Sequence, residues 1–190
     1  MTGPDDLRAR LSQHVPADLI AQLAALRPRP GDVAGYATRV AVRELGRRAE
    51  FLDGQLERLD KLIVPLVTTR APGLLALYGI GPHTAALLLI AAGDHPGRLR
   101  SEAAWAHLCA AAPIPASSGK TVRHRLNPGG DRQASHALWR IVFTRMGSGP
   151  ATRAYAERRT AKGKSKAEII RCLKRYAARE ACPHLRTPAG

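Results

Sequence analysis

The sequence predicts a mostly α-helical protein: a long coiled-coil helix, then a compact helical domain with a helix-hairpin-helix and an irregular or short-β serine loop. Hydrophobic residues make up 45% of the 190 residues and aromatic residues only 4%, which is typical of Ala/Leu-rich helices rather than sheets. Apolar residues also recur every three or four positions over 42–66. We expect short helices and a proline-rich linker over 1–31, the coiled-coil helix over 32–70, the compact domain over 71–182 and a tail over 183–190.

Positive charge is concentrated in the C-terminal part of the chain. The 30 Lys and Arg residues outnumber the 15 Asp and Glu residues, which gives a formal net charge of +15. From Gly119 onward there are 17 Lys and Arg against 4 Asp and Glu. Solubility alone does not require such an asymmetry, so it indicates a polyanionic partner and favours nucleic acid.

Several classes of protein are disfavoured. Cys109, Cys172 and Cys182 are far apart and show no metal-ligand spacing, so neither a disulfide framework nor a zinc site is predicted. The N-terminus does not resemble a signal peptide, and the longest apolar run, 85–92, is too short to span a bilayer. We therefore expect no membrane association and a cytoplasmic, nucleoid-associated protein.

The long helix is predicted to begin after Asp32, a plausible N-cap. Its apolar seam alternates spacings of three and four, as in a coiled coil. The seam consists of Val42, Leu45, Ala49, Leu52, Leu56, Leu59, Ile63 and Leu66. An amphipathic helix packed on its own domain is the alternative, but a narrow seam flanked by charge favours a partner helix, within the chain or from another chain.

A helix-hairpin-helix pattern covers residues 72–86. A short apolar helix is predicted to end at Gly79, and Gly79 and Gly81 frame a tight turn before the next helix. Glycines let a backbone approach a phosphate, and the N–H groups of the first turn, which holds His83 and Thr84, point towards it. The alternative is a purely structural corner between two helices.

Three later helices carry their own start signals. Ser101 is a possible cap of a helix with Trp105, and Ser165 and Glu168 form a capping box. A helix over 132–146 should bury one apolar face, made of Ala134, Ala137, Leu138, Ile141 and Val142. The last helix should bury Ile169, Ile170, Leu173 and Tyr176.

The stretch 117–125 holds the residues with chemical potential. A serine nucleophile needs a base or a cationic surround, and attack on a phosphodiester needs positive groups for the charge that builds on phosphate. Lys120, Arg123 and Arg125 lie close to Ser117 and Ser118. His124 is a further candidate, as a base or an orienting group. The residues alone favour the alternative, a solvated turn whose cations bind phosphate passively.

An ordered set of short strings resembles the C-terminal domain of bacterial insertion-sequence transposases of the IS-one-ten type. Each string alone is weak, while the ordered set is specific. The strings are Gly79–Ala86, Ala91–Asp94, Arg98–Glu102, Pro115–Thr121, Arg123–Asn127, Gly129–Ala134, Gly163–Lys166 and Arg171–Tyr176. One departure is Pro128, which stands where a basic residue is expected before the double glycine.

The resemblance implies a recombinase whose serine attacks DNA and forms a covalent link. By position the nucleophile is Ser118, with Ser117 as runner-up, and Lys120, Arg123, Arg125 and Arg132 become phosphate ligands. It also implies a structured guide RNA, oligomers, and a divalent metal held by a RuvC-like DEDD nuclease domain.

We expect this chain to be a truncated transposase without that nuclease domain, holding no cofactor itself and inactive alone, so whether it is an enzyme stays open. The alternatives are a non-catalytic helix-hairpin-helix module that binds nucleic acid, and a coiled-coil partner or inhibitor of an intact transposase.

Overall fold

The structure, a computed structural model, describes residues 8–9, 11–12, 16–28, 31, 33–93, 99–115, 124–125 and 127–186. The chain divides into two compact units, Met1–Leu62 and Ile63–Gly190.

The first unit contains helix α1 (Pro16–Ala24) and most of helix α2 (Val33–Arg70). The first turn of α1 tolerates a proline at Pro16, and Asp18 adds the negative charge that a helix start favours. Gly46 is buried where the two helices meet, since a Cβ there would lie 2.5 Å from the backbone nitrogen of Ala24. The long helix predicted over 32–70 is therefore present, while its predicted cap, Asp32, lies outside the described residues.

The second unit is a helical domain with one small sheet. Its elements are α3 (Pro72–Leu75), α4 (Pro82–Ala92), α5 (Glu102–Leu108), β1 (Ile114–Pro115), β2 (His124–Arg125), α6 (Arg132–Ser148), α7 (Pro150–Ala161) and α8 (Lys166–Arg186). Helix α6 lies at the centre and packs against α4, α7 and α8, while α5 packs against α8. The mostly α-helical fold predicted from composition is thus confirmed.

The core of this unit is built around the apolar face of α6. All five residues predicted for that face are buried, at 1% exposure or less. Leu74, Leu88 and Trp105 from the surrounding helices are also fully buried. Each large apolar side chain removed from water in this way contributes about 1.5–3 kcal/mol, so packing on α6 holds the domain together.

The predicted helix starts are confirmed by their hydrogen bonds. The Ser101 hydroxyl accepts the N–H of Ala104 at 3.1 Å, which caps α5. At the start of α8 the N–H of Glu168 donates to the Ser165 hydroxyl at 3.3 Å, and the N–H of Ser165 donates to the Glu168 carboxylate at 2.9 Å. The N–H and the hydroxyl of Ser165 and the ammonium of Lys164 all donate to the Glu168 carboxylate, and they lower the pKa of Glu168 to about 2.

Two local predictions were wrong. The helix before the hairpin ends at Leu75 rather than Gly79, because the chain continues in tight turns in which the N–H of Leu77 bonds to Leu74 and that of Ile80 to Leu77. Tyr176 was expected in the core but is 45% exposed. Its ring meets Tyr155 edge-on at 5.7 Å, which leaves its outer side in solvent.

Within the described ranges, none of the helices combines the length and apolar content that a bilayer crossing needs.

Candidate nucleic-acid interface

The hairpin turn between α3 and α4 is held in place by Arg145 of α6. Gly79 adopts a φ of +77°, in the region that favours glycine, and a Cβ there would lie 3.1 Å from Cγ of Arg145. The Arg145 Nε–H donates to the carbonyl of Tyr78 at 2.7 Å, and its Nη1 pairs with Glu180 of α8, also at 2.7 Å. The turn is therefore fixed to two other helices.

The start of α4 is open on the side of Gly81. This residue is the N-cap, with an extended backbone (φ −95°), and a Cβ built on it would meet nothing within 4 Å. The first N–H to bond within the helix is that of Ala85, which donates to the carbonyl of Gly81 at 2.9 Å. His83 is exposed, whereas Thr84 is buried, with only 7% exposure.

The serine-bearing segment is bracketed by the small sheet. Strands β1 and β2 pair antiparallel, with Ile114 opposite Arg125 and Pro115 opposite His124. His124 and Arg125 are both exposed. The residues between the strands, 116–123, lie outside the described residues, and with them the predicted site residues Ser117, Ser118, Lys120 and Arg123.

The turn after β2 is fastened to the end of α5. The side-chain amide of Asn127 donates to the carbonyl of His107 at 3.0 Å, and the N–H of Asp131 donates to that of Leu108 at 2.6 Å. Gly130 lies so close to Ala110 that a Cβ would come within 2.4 Å of its backbone nitrogen. This turn therefore forms a fixed wall beside the first residues of α6.

A groove of about 370 Å³ opens between this wall, the first turns of α6 and helix α8. It brings the predicted phosphate ligand Arg132 together with Ser135, His136, Trp139 and Lys174. The ammonium of Lys174 donates to the Ser135 hydroxyl at 2.6 Å. Burial disfavours the charged form and lowers the pKa of Lys174, while electrostatic interaction with Cys109 acts in the opposite direction.

Most of the described cations of the C-terminal part fall into two groups, those paired with carboxylates and those exposed without such a pair. Arg145 pairs with Glu180, while Arg175 and Arg179 both pair with Glu102. Burial alone would raise the pKa of Glu102, but these two guanidinium groups hold it below its ordinary value. The second group is exposed on the described surface and comprises Arg125, Arg132, Arg140, Arg153, Arg158, Lys162, Lys166 and Arg171.

Sequence reasoning found Arg132 but missed its neighbours in the groove. Ser135, His136 and Trp139 follow Arg132 at helical spacings of three, four and seven, which place them on one side of α6. That local signal was available. Lys174 arrives from a helix 39 residues further along the chain than Ser135, and no local pattern could have placed it there.

Residues 72–157, which include the hairpin, the serine segment and the groove wall, match the family model described as "Transposase IS116/IS110/IS902 family". This part of the chain is thus similar to that family of insertion-sequence transposases, in agreement with the resemblance found in the sequence. A curated relative is the "Insertion element IS110 uncharacterized 43.6 kDa protein" of Streptomyces coelicolor, which is 34% identical over 106 residues. The aligned region covers 55% of this chain and 26% of the relative, so the chain spans about a quarter of that protein's length.

Proposed function

We propose that this chain binds DNA in transposition and presents Ser118 as the nucleophile for phosphodiester strand exchange. The observation that carries the proposal is the transposase-family match over residues 72–157, which spans both the hairpin and the serine segment. The exposed cations at Arg125 and Arg132 support it, because they follow that segment closely in sequence and are available to phosphate.

In the proposed reaction the Ser118 oxygen attacks a backbone phosphorus. The new bond joins serine oxygen to phosphorus, one phosphorus–oxygen bond of the DNA breaks, and the released sugar oxygen takes up a proton while serine gives one up. Because the link is still a phosphodiester, attack by another sugar hydroxyl can rejoin the strand. The cations near the serine would stabilise the charge that develops on the phosphate oxygens.

The divalent metal that the family resemblance implies has no matching donor set among the described residues. No three of their His, Cys, Asp and Glu side chains lie close enough together to hold a metal ion. The structure therefore gives no basis for assigning a step of this reaction to a metal held by the described part of the chain.

The hairpin is proposed to contact a DNA phosphate through the start of α4, and Gly81 offers a clean test. Since nothing surrounds its missing Cβ and its backbone is unstrained, Gly81→Ala should leave the fold intact. The new methyl group would stand in the way of a close phosphate. Thr84 would take part through its backbone N–H alone, because its side chain is buried.

Gly147→Ala is the matched control, since Gly147 also has nothing within 4 Å and lies near the end of α6. We expect duplex affinity, measured by fluorescence anisotropy at fixed salt, to fall about tenfold for Gly81→Ala and to stay unchanged for Gly147→Ala. Equal affinities for the two variants would show that the hairpin does not touch the phosphate.

The catalytic part of the proposal is tested by covalent trapping. A nicked suicide DNA substrate, incubated with this protein and an intact family transposase, should become attached to this chain, and denaturing gels would separate the adduct by size. Ser118→Ala should abolish the adduct, whereas the matched variant Ser117→Ala should retain it. An adduct that survives Ser118→Ala, or the absence of any adduct, would instead favour the non-catalytic binding module.

The exposed seam of α2 supports a second candidate role in pairing with another transposase chain. Leu45, Leu52, Leu56 and Leu59 are between 40% and 67% exposed, at coiled-coil spacing. We propose that this seam packs against a helix of a second copy or of a full-length transposase. Analytical ultracentrifugation should detect the assembly. Leu56→Glu should dissociate it, whereas Glu57→Gln at the neighbouring charged position should leave it intact.

The structured RNA that the resemblance implies is proposed as a further partner. Binding of an RNA transcribed from the end of the element, in competition with unrelated RNA of equal length, tests this.

A further inference from the structure

Three aromatic rings form an exposed row along α6. His136 and Trp139 stack with ring centres 5.8 Å apart and planes inclined by 17°. Trp139 and Phe143 stack at 5.2 Å and 22°. Trp139 is 40% exposed and Phe143 63% exposed, on the side of the helix opposite its buried face. An exposed aromatic row is unusual in a chain with so few aromatic residues, and the core does not account for it.

One end of this row lies in the groove, among positive charges. His136 and Trp139 line the groove together with Arg132 and Lys174. Among the described residues that line it, none is acidic. The nearest carboxylate along the chain is that of Asp131, which is engaged in capping α6 through the N–H of Ala134 at 2.7 Å. The groove thus offers cationic donors beside flat ring surfaces.

This combination matches the two parts of a single nucleotide. A phosphate takes charge-assisted hydrogen bonds from Arg and Lys, and every base has a π-face that stacks on aromatic rings. The volume of about 370 Å³ is at the small end of the range for ligand sites, which suits one nucleotide. A paired base within a duplex keeps both faces covered by its neighbours, so only an unpaired base can stack here.

We propose that the groove between α6, α8 and the turn at Asn127 holds one unpaired nucleotide, with its base extending the aromatic row at its groove end, on the His136 ring and beside Trp139, and its phosphate between Arg132 and Lys174. This inference rests on the proposed nucleic-acid binding and adds a preference for unstacked single-stranded segments. The Ser135 hydroxyl positions the Lys174 ammonium at 2.6 Å and keeps it directed into the groove. The nucleotide belongs to a DNA strand opened during exchange or to an RNA, two sources with the same chemistry.

The two tryptophans of the chain provide a direct optical test. Trp105 is fully buried, whereas Trp139 is exposed, so a stacked base should quench the fluorescence of Trp139 alone. We would titrate the full chain with an oligo-dT, an oligo-U and a DNA duplex of equal length. Both quenching and the anisotropy of a labelled strand would be recorded. Trp139→Phe should keep the affinity for single strands and lose the quenching, while Trp139→Ala should lower that affinity about tenfold or more.

A pair of charge variants on α8 tests the phosphate contact. Lys174→Met removes the charge in the groove and keeps most of the packing, and Arg171→Ala removes one exposed charge outside it. We expect Lys174→Met to weaken single-strand binding several-fold more than Arg171→Ala. Equal losses would overturn the contact, because they would reflect only the overall field of the domain. Circular dichroism of each variant would verify that it is folded.

The outcomes separate this inference from the proposed function. Quenching by oligo-dT, by oligo-U or by both supports the nucleotide site and identifies its source. Duplex binding without quenching, together with an unchanged single-strand affinity in Trp139→Ala, overturns the nucleotide site and leaves the proposed function standing. If the chain bound none of the three probes, neither the duplex nor oligo-dT nor oligo-U, both the nucleotide site and the proposed function would be overturned.

Discussion

Replacing Arg145 by alanine removes the side chain that ties the hairpin turn to α6 and α8. Its Nε–H donates to the Tyr78 carbonyl and its Nη1 pairs with Glu180, each at 2.7 Å. The side chain is itself only 13% exposed, so its contacts are largely shielded from water. In the alanine variant the carbonyl would lose its charged donor, and Gly79 would lose the Cγ packed against it.

The expected cost can be assembled from these contacts. A hydrogen bond from a charged donor contributes about 1.5–3 kcal/mol. The ion pair contributes no more than about 1 kcal/mol, because Glu180 is 46% exposed and solvent screens it. We therefore predict that Arg145→Ala lowers the free energy of unfolding by about 1.5–4 kcal/mol, most of it through the bond to the turn.

Urea unfolding followed by circular dichroism would measure this loss. Glu180→Gln is the control, because it weakens the ion pair and leaves the bond to the turn, so it should cost about 1 kcal/mol or less. Arg145→Lys should fall between the two, since an ammonium can keep the ion pair without reaching both partners. A loss below about 0.5 kcal/mol in Arg145→Ala, or an equal loss in Glu180→Gln, would refute the role of Arg145 in holding the hairpin turn.

Three further predictions concern local structure. Gly79→Ala should lower the free energy of unfolding by about 1–2 kcal/mol, because its φ of +77° strains any residue with a Cβ. Thermal unfolding would measure this loss, and an unchanged melting temperature would contradict the predicted strain. Gly46→Ala should destabilise the first unit by about 1–3 kcal/mol through its clash with Ala24, and protease resistance of α1 equal to that of the wild type would contradict this. Glu168 has a folded pKa lowered to about 2, so its contribution is complete above its unfolded pKa of about 4.3 and is lost as the pH falls towards 2. Glu168→Gln should therefore be less stable than the wild type at pH 6, the difference should vanish as the pH falls through 2, and a stability difference independent of pH would exclude this linkage.

The sequence was most informative where structure depends on neighbouring residues. The helix predicted over 132–146 is observed as Arg132–Ser148, and its apolar face is the buried one, because a period of 3.6 residues fixes which side chains point together. The caps at Ser101 and at Ser165–Glu168 were also predicted correctly, since a side chain at the N-cap and the donors it satisfies lie within three residues of each other.

Long-range contacts account for what was missed. The groove depends on the contact of Lys174 with Ser135, which lies on a helix distant in sequence. The hairpin turn is held by the bond from Arg145 to Tyr78, which is 67 positions away in the chain. Charge counting also overstated the cations available to a partner, because Arg175 and Arg179 are engaged with Glu102. The sequence shows which cations and carboxylates are present, but it does not show which of them pair.

The pairing of β1 with β2 sets Pro115 directly opposite His124, so the two residues that flank the serine-bearing segment lie side by side. Its base is further anchored where Asn127 and Asp131 bond to the end of α5. Lengthening a connection between fixed ends costs only about 0.6 kcal/mol per doubling of its length. A change in the length of this connection should therefore cost little closure entropy as long as β1 and β2 remain paired.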